Sequence, residues 1–379
     1  TEMRIGFDGK RAVQNFTGLG NYSRYVADIL CHFYPENDYV LYAPKKRENK
    51  RMNLLTGQYR QLTLAYPATS FWKKLSSLWR VWGITSQLEK EGIELFHGLS
   101  NELPLNIHKS RIKSIVTIHD LIFLRYPQYY QSIDRKIYTY KFRKACENAD
   151  KIIAISECTK RDIIRYFNIP DDKIEVVYQG CDVSFTHPVT EEKKEEVRKK
   201  YQLPDHYILN VGSIEERKNI LAAVQALPML PQHIHIVIVG RRTGYTEKVE
   251  QFIKDNGLGE RVHIISNVPF NDLPAFYQSA EIFVYPSRFE GFGIPIIEAL
   301  YSGIPVVAAT GSCLEEAGGP DSIYVNPDDI TGLADAFKQI YSNSDKRKNM
   351  VEKGREFAKR FSEKQQSEEI INIYKKLIR

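Results

Sequence analysis

Two carboxylates, Glu290 and Glu298, stand eight residues apart in the segment IFVYPSRFEGFGIPIIEALYSG. A carboxylate can accept both hydrogen bonds of a vicinal diol, so Glu298 suits a ribose and Glu290 a second sugar presented beside it. The segment reads as a strand through Pro286, a glycine-rich loop, and a helix that begins near Pro295, has Glu298 in its first turn and stops at Gly303. A helix N-terminus of this kind offers unpaired N–H groups to phosphate, and Gly291, Phe292, Gly293 and Ile294 form the backbone that would approach it. The plainer role for such carboxylates is to complement the helix dipole.

A second group follows the strand YILNVG, in the loop GSIEERKN, where Gly212 precedes Arg217 and Lys218. Cations ahead of a helix oppose its dipole, which points to an anionic ligand rather than to a simple surface turn. A third candidate, His119, ends the strand SIVTI, and the carboxyl ends of parallel strands are where ligands sit in open α/β sheets. Gly18 and Gly20 in TGLGNYSRY allow either a close backbone approach or a tight turn. No metal site is expected. The chain has no Asp-x-Asp triplet, its adjacent pairs Asp171-Asp172 and Asp328-Asp329 read as helix starts, and its five cysteines lack metal-ligand spacing.

The elements that must position these residues alternate throughout. Short apolar strands (MRIGF, YVLYA, LTLAY, SIVTI and KIIAIS, then YILNVG, IHIVIVG, VHIIS, IFVYPS and PVVAA) are separated by helix-length periodic segments. This rhythm predicts doubly wound parallel sheets, and 379 residues predict two domains. The stretch Cys181–Pro204 carries Pro188 and the solvated charge run EEKKEEVRKK but no strand, which puts the junction near Asp182–Val189. The expected division is 1–185 for an N-terminal Rossmann-like domain, 186–361 for a C-terminal one, and 362–379 for a terminal helix.

Hydrophobic residues make up 42% and charged residues 26% of the chain, which excludes a disordered or fibrous protein. The net charge of +6 is uneven: residues 1–182 hold 28 Lys and Arg against 20 Asp and Glu, the remainder 25 against 27. Scattered cysteines, the lack of a leader-like start and the lack of a spanning apolar stretch lead to the expectation of a cytoplasmic protein. Residues 71–82, FWKKLSSLWRVW, place Phe71, Trp72, Leu75, Leu78, Trp79 and Trp82 on one helical stripe, with Lys73, Lys74 and Arg80 away from it. Such a helix either packs into the N-terminal core or rests peripherally on the inner face of an anionic membrane, aided by Lys45, Lys46, Arg47, Lys50 and Arg51.

EGFGIPIIE resembles the signature of family-4 (group 1) retaining glycosyltransferases, and VTIHDLIFLRYP resembles the corresponding stretch of its mannosyltransferase-like members. The resemblance implies the GT-B fold, in which two Rossmann-like domains face each other across a cleft and a C-terminal helix returns to the first. It implies a metal-independent hexosyltransferase with no cofactor beyond its nucleotide-diphosphate sugar donor, GDP-mannose being the first expectation, and a glycan or lipid-linked acceptor of bacterial polysaccharide synthesis. Lys218 and Arg217 would then neutralise the diphosphate, Glu290 and His119 would orient the sugar, Glu298 would hold the ribose, and Gly20 would lie near the diphosphate, with residues 8–14 on the acceptor side. Ser213 stands where many relatives carry arginine, and Glu315 where many carry proline. Nucleic acid is not an expected partner. The rival readings are an epimerase or phosphorylase on the same fold, or a non-catalytic carbohydrate-binding protein.

Overall fold

The computed structural model describes residues 2–379. The chain forms two units: residues up to Gln179 together with Ser362–Arg379, and Gly180–Phe361. The junction thus falls ahead of the Asp182–Val189 stretch in which it was expected, and Asp182 and Phe185 belong to the second unit.

In the first unit, seven strands are all parallel: β1 (Arg4–Asp8), β2 (Asp38–Tyr42), β3 (Leu62–Ala65), β4 (Leu95–Gly98), β5 (Lys113–Ile118), β6 (Lys151–Ala154) and β7 (Ile174–Val176). Their order is β3-β2-β1-β4-β5-β6-β7, so the winding reverses between β1 and β4. Central strands are apolar on both faces because helices cover both, and Ile5, Phe7, Leu95, Phe96, Ile115 and Val116 are all essentially inaccessible. The terminal helix Glu363–Ile378 belongs to this unit: its Ile370, Ile371 and Tyr374 are buried, and the Tyr374 hydroxyl lies 2.5 Å from His97 Nδ1.

The second unit repeats the plan with six parallel strands: β8 (Tyr207–Val211), β9 (His235–Val239), β10 (Val262–Ile265), β11 (Ile282–Tyr285), β12 (Val306–Ala309) and β13 (Ile323–Val325). The order β10-β9-β8-β11-β12-β13 places its reversal between β8 and β11. One side of its core packs the helix Ile220–Ala226 and the helix Ile330–Ser342 against Ile208, Ile236, Val284 and Val307.

Residues 71–82 depart from the single amphipathic helix expected. The segment breaks into short helical pieces, Ser70–Lys74 and Ser76–Leu78, and a wide π-turn at Trp79–Gly83. The helix breaks at Leu75 (φ −108°, ψ 44°) and widens again at the π-turn, so the stripe divides. Trp79 is fully buried and donates its indole N–H to Gln87 (3.1 Å), and the Trp72 ring fills the space where any side chain on Gly83 would stand. Phe71, Leu75, Leu78 and Trp82 remain exposed. Arg80, expected on the outer cationic edge, is instead turned inward, bound to Asp8 (2.5 Å) and Glu102 (2.8 Å).

Candidate functional site

The reversal between β8 and β11 brings two loops side by side, because the chain leaves the two adjacent strands in opposite directions. After β8, Gly212 takes φ +151°, a conformation strained for any residue with a side chain, and the path continues to Arg217 and Lys218. After β11 comes the loop Pro286–Gly293, and Gly293, at φ +119°, caps the helix Ile294–Ser302. The loops are knitted together: Arg288 N donates to the Arg217 carbonyl (2.9 Å), and Arg217 Nη1 donates to the Phe289 carbonyl (2.5 Å). Asn219, itself in the left-handed region, donates from Nδ2 to the Pro286 and Pro327 carbonyls.

Glu290 sits at the focus. Its Oε1 accepts hydrogen bonds from Ser287 Oγ (3.0 Å) and Tyr285 Oη (3.2 Å) and forms ion pairs with Lys218 Nζ (2.8 Å) and Arg217 Nη1 (3.2 Å). All four contacts fall on this one oxygen, which leaves Oε2 as the oxygen to offer to a sugar hydroxyl. Burial alone would push this carboxyl up, but Lys218 and Arg217 more than offset it and hold it at about 2. For Lys218, burial pulls down and Glu290 overrides it, so the ammonium is held above its usual range. Glu215 also pairs with Arg217 (3.5 Å) from its more exposed side, so Lys218 is the cation of this fixed, low-dielectric cluster whose charge is balanced by Glu290 alone and which an anionic ligand would meet.

Glu298 lies in the same unit but outside this cluster. It is the fifth residue of its helix, about one residue deeper than expected, and accepts a hydrogen bond from Tyr277 (2.5 Å). Burial, partly opposed by that bond, raises its carboxyl to about 7, so it changes charge near neutrality. The Phe292 side chain turns into the core against Phe361, and only its backbone belongs to the loop. Cys313 fastens this loop from beneath, donating its thiol to the Glu290 (2.9 Å) and Phe292 (3.2 Å) carbonyls. Nothing in the spacing of the five cysteines announced this contact.

His119 and Gly20 belong to the first unit. His119 follows β5, and its Nε2 donates to the Leu99 carbonyl (2.8 Å), which assigns the tautomer and leaves Nδ1 as an acceptor. Burial lowers its pKa to about 4, so the imidazole is neutral at physiological pH. Its ring meets Tyr22 edge-on at 4.5 Å, and Asn101, at φ +69°, receives its backbone N–H on Oδ1. Gly20 lies in the helix Gly18–Phe33, where a Cβ would come within 2.0 Å of the Asn15 carbonyl, so close packing alone demands glycine there.

Two further features, both in the first unit, escaped sequence reading. Strand β4 carries His97, whose Nε2 meets Thr117 (2.7 Å) and whose Nδ1 meets Tyr374, and Tyr22 bonds the same threonine (3.1 Å). The other is the charge network of Asp8, Arg80, Glu102 and Lys141, whose members are scattered along the sequence. The run GIELFHG was the available signal for β4.

Residues 191–357 match the family model described as glycosyl transferases group 1, and residues 23–185 match that described as glycosyltransferase family 4. The chain is 31% identical over 289 residues, 75% of its own length and 74% of the relative's, to O-antigen chain mannosyltransferase B of Escherichia coli. It is 29% identical to O-antigen chain mannosyltransferase RfbU of Salmonella typhimurium over 59% of this chain and 60% of that one. Among solved structures, the Anabaena HepE complex with UDP and glucose superimposes with a TM-score of 0.78 at 17% identity, covering 99% of this chain and 100% of that one. Sucrose-phosphate synthase from Thermosynechococcus elongatus gives 0.79 at 20% identity, covering 99% of each chain. With two parallel α/β sheets, the GT-B fold of these structures and a mannosyltransferase relative matched over most of its length, the chain belongs to the family-4, group 1 glycosyltransferases.

Proposed function

We propose that this glycosyltransferase moves mannose from GDP-mannose to a hydroxyl of a glycan or lipid-linked acceptor, with retention at the anomeric carbon and without a metal ion, in cytoplasmic polysaccharide synthesis. The observation that carries the reading is the convergence of Lys218, Arg217 and Glu290 at the carboxyl ends of β8 and β11. As the bond between the anomeric carbon and the diphosphate oxygen breaks, negative charge grows on the leaving diphosphate, and a fixed Lys218 ammonium stabilises that state without reorganisation. The acceptor oxygen forms the new bond to the same carbon, and its proton passes to an oxygen of the departing phosphate. Glu290 serves in two ways, since Oε1 holds the two cations in place while Oε2 accepts a hydroxyl of the sugar. Glu298 takes the ribose diol, and neutral His119 accepts a sugar hydroxyl on Nδ1.

The choice of mannose is supported by the named mannosyltransferase relatives. All five cysteines are buried, in keeping with a reducing compartment. The test is a donor panel: thermal shift and donor hydrolysis over GDP-, UDP- and dTDP-sugars, with and without chelator. GDP-mannose gives the largest stabilisation and turnover, unchanged by chelator, and Lys218→Ala lowers turnover by about 10²–10³-fold. Turnover that collapses in chelator, or stabilisation by no nucleotide, would reject the proposal.

A further inference from the structure

Four polar side chains, each from a different element of the first unit and none more than 2% exposed, form one line. Tyr374, on the terminal helix, meets His97 Nδ1 on β4 (2.5 Å), and His97 Nε2 meets Thr117 Oγ1 on β5 (2.7 Å). The same threonine oxygen meets the hydroxyl of Tyr22, from the helix Gly18–Phe33 (3.1 Å). Burial, with His119 close by, lowers the His97 pKa to about 3, so its ring is neutral and carries one N–H and one lone pair. Three hydroxyls and one N–H are then enough to give each of the three contacts a proton. Apolar side chains of the same shape would stabilise the unit about as well; what a fully bonded polar line confers is a single arrangement, because its bonds fail if any one element shifts.

The line ends at the candidate site. Thr117 stands two residues before His119, so the pleat of β5 sends both side chains to one face. The Tyr22 ring, tied at its hydroxyl to Thr117, meets the His119 ring edge-on, with centroids 4.5 Å apart and planes at 89°. Backbone bonds fix the stretch itself, since Asn101 N donates to the Thr117 carbonyl (3.0 Å) and Thr159 Oγ1 to the His119 carbonyl (3.2 Å). The hydrogen bond from His119 Nε2 to the Leu99 carbonyl fixes one point of the ring and leaves its plane free to turn about that bond. The plane, and with it the direction of Nδ1, is set by the edge-to-face contact with Tyr22.

We propose that Thr117 and Tyr22 are positioning residues for sugar transfer: anchored through His97 to Tyr374, they hold the His119 ring in the plane that aims Nδ1 at the sugar. The inference rests on the glycosyl-transfer reading in one respect, the assignment of His119 to the sugar. The terminal helix thereby reaches the site through a single hydroxyl, that of Tyr374. A displacement of about 1 Å at a group that contacts the reacting sugar costs up to about 10²-fold in rate, so a tilt of the ring that moves Nδ1 by part of that distance costs about tenfold.

The test is a double-mutant cycle on the full chain, read as turnover and KM of the nucleotide sugar that wild type uses best. Thr117→Val keeps the size of the side chain and removes its hydroxyl, and Thr117→Ser restores the hydroxyl. Thr117→Val lowers kcat by about tenfold with donor KM within about twofold of wild type, and Thr117→Ser recovers most of the loss. In a His119→Asn background the same Thr117→Val change alters kcat by less than about twofold, because no imidazole is left to aim. Tyr374→Phe, which removes one hydroxyl at the far end of the line and keeps the ring, repeats the pattern with a drop of about threefold and carries the comparison if Thr117→Val does not fold. A line that only clamps the helix to the sheet lowers turnover by the same factor in both backgrounds, and that result overturns the proposal. So does wild-type kcat in Thr117→Val and Tyr374→Phe, or a Thr117→Ser that recovers nothing. An impaired His119→Asn on which the other losses simply add sinks this inference alone. A His119→Asn that turns over like wild type removes the sugar role of His119 and this inference with it, and absence of turnover with every donor rejects the transfer reading itself.

Discussion

Replacing Glu290 with glutamine keeps the shape of the side chain and removes the charge that holds Lys218 and Arg217. A carboxyl held at about 2 instead of 4.5 favours its charged form by about 3 kcal/mol at 1.4 kcal/mol per decade. Glu290 is 13% exposed and its two cations 15% and 17%, so solvent screens little of this. The sign follows from the direction of the shift: a depressed carboxyl contributes stability that is whole above 4.5 and lost as pH falls through about 2, so at pH 7 the variant forgoes all of it. For a unit of this size the loss lowers the melting temperature by roughly 6–12 °C. With Lys218 left uncompensated and Arg217 held only by Glu215 (3.5 Å), the site becomes a stronger anion site, so pyrophosphate stabilises Glu290→Gln by more than it stabilises wild type, recovering up to about 3 kcal/mol at a hundredfold excess over its dissociation constant. Differential scanning fluorimetry at pH 7, with and without pyrophosphate, measures both effects. A variant that melts within about 2 °C of wild type would falsify the claim that this carboxylate organises the cations. Equal pyrophosphate shifts in the two proteins would mean that the anion binds elsewhere.

Glu298, raised to about 7 by burial, acts in the opposite direction. Its stabilising neutral form is fully present below 4.5 and lost as pH rises through about 7, so wild type loses melting temperature between pH 5 and 8 and Glu298→Gln does not. Because the ionised form accepts the ribose hydroxyls, donor KM falls across the same interval in wild type and is flat in the variant. His119, neutral above about 4, adds no limb to the pH–rate profile between 5 and 8, and the profiles of wild type and His119→Asn share their shape while differing in height. Gly20→Ala drives a Cβ to within 2.0 Å of the Asn15 carbonyl and costs about 1–3 kcal/mol in urea denaturation, with nucleotide affinity at Lys218 unchanged.

Much of this protein was legible before folding was considered. Ten strands announced themselves as apolar runs because a sheet covered on both faces writes its burial continuously into the chain. The loop EGFGIPIIE was legible for a different reason: glycines at Gly291 and Gly293, proline in the first helical turn and two carboxylates are each local requirements, met within a dozen residues. Strand β4 was missed because GIELFHG mixes charge and glycine with its apolar core, and its His97 is satisfied only by Thr117 and by Tyr374, which comes from the far end of the chain.

What the tertiary structure alone decided concerns charge and direction. Sequence marked Glu290 as a sugar contact and Lys218 as a diphosphate contact, but only the adjacency of β8 and β11 shows that the two bind each other first. Helical periodicity put Arg80 outside and both Trp72 and Trp79 on one stripe with Trp82, yet a π-turn at Trp79–Gly83 sends Arg80 inward to Asp8 and Glu102 and leaves Trp82 in water. The physical reason is common to both cases. Hydrophobic period and turn chemistry act over a few neighbouring residues and can be read along the chain, whereas the pairing of charges depends on which distant segments the sheet order sets side by side.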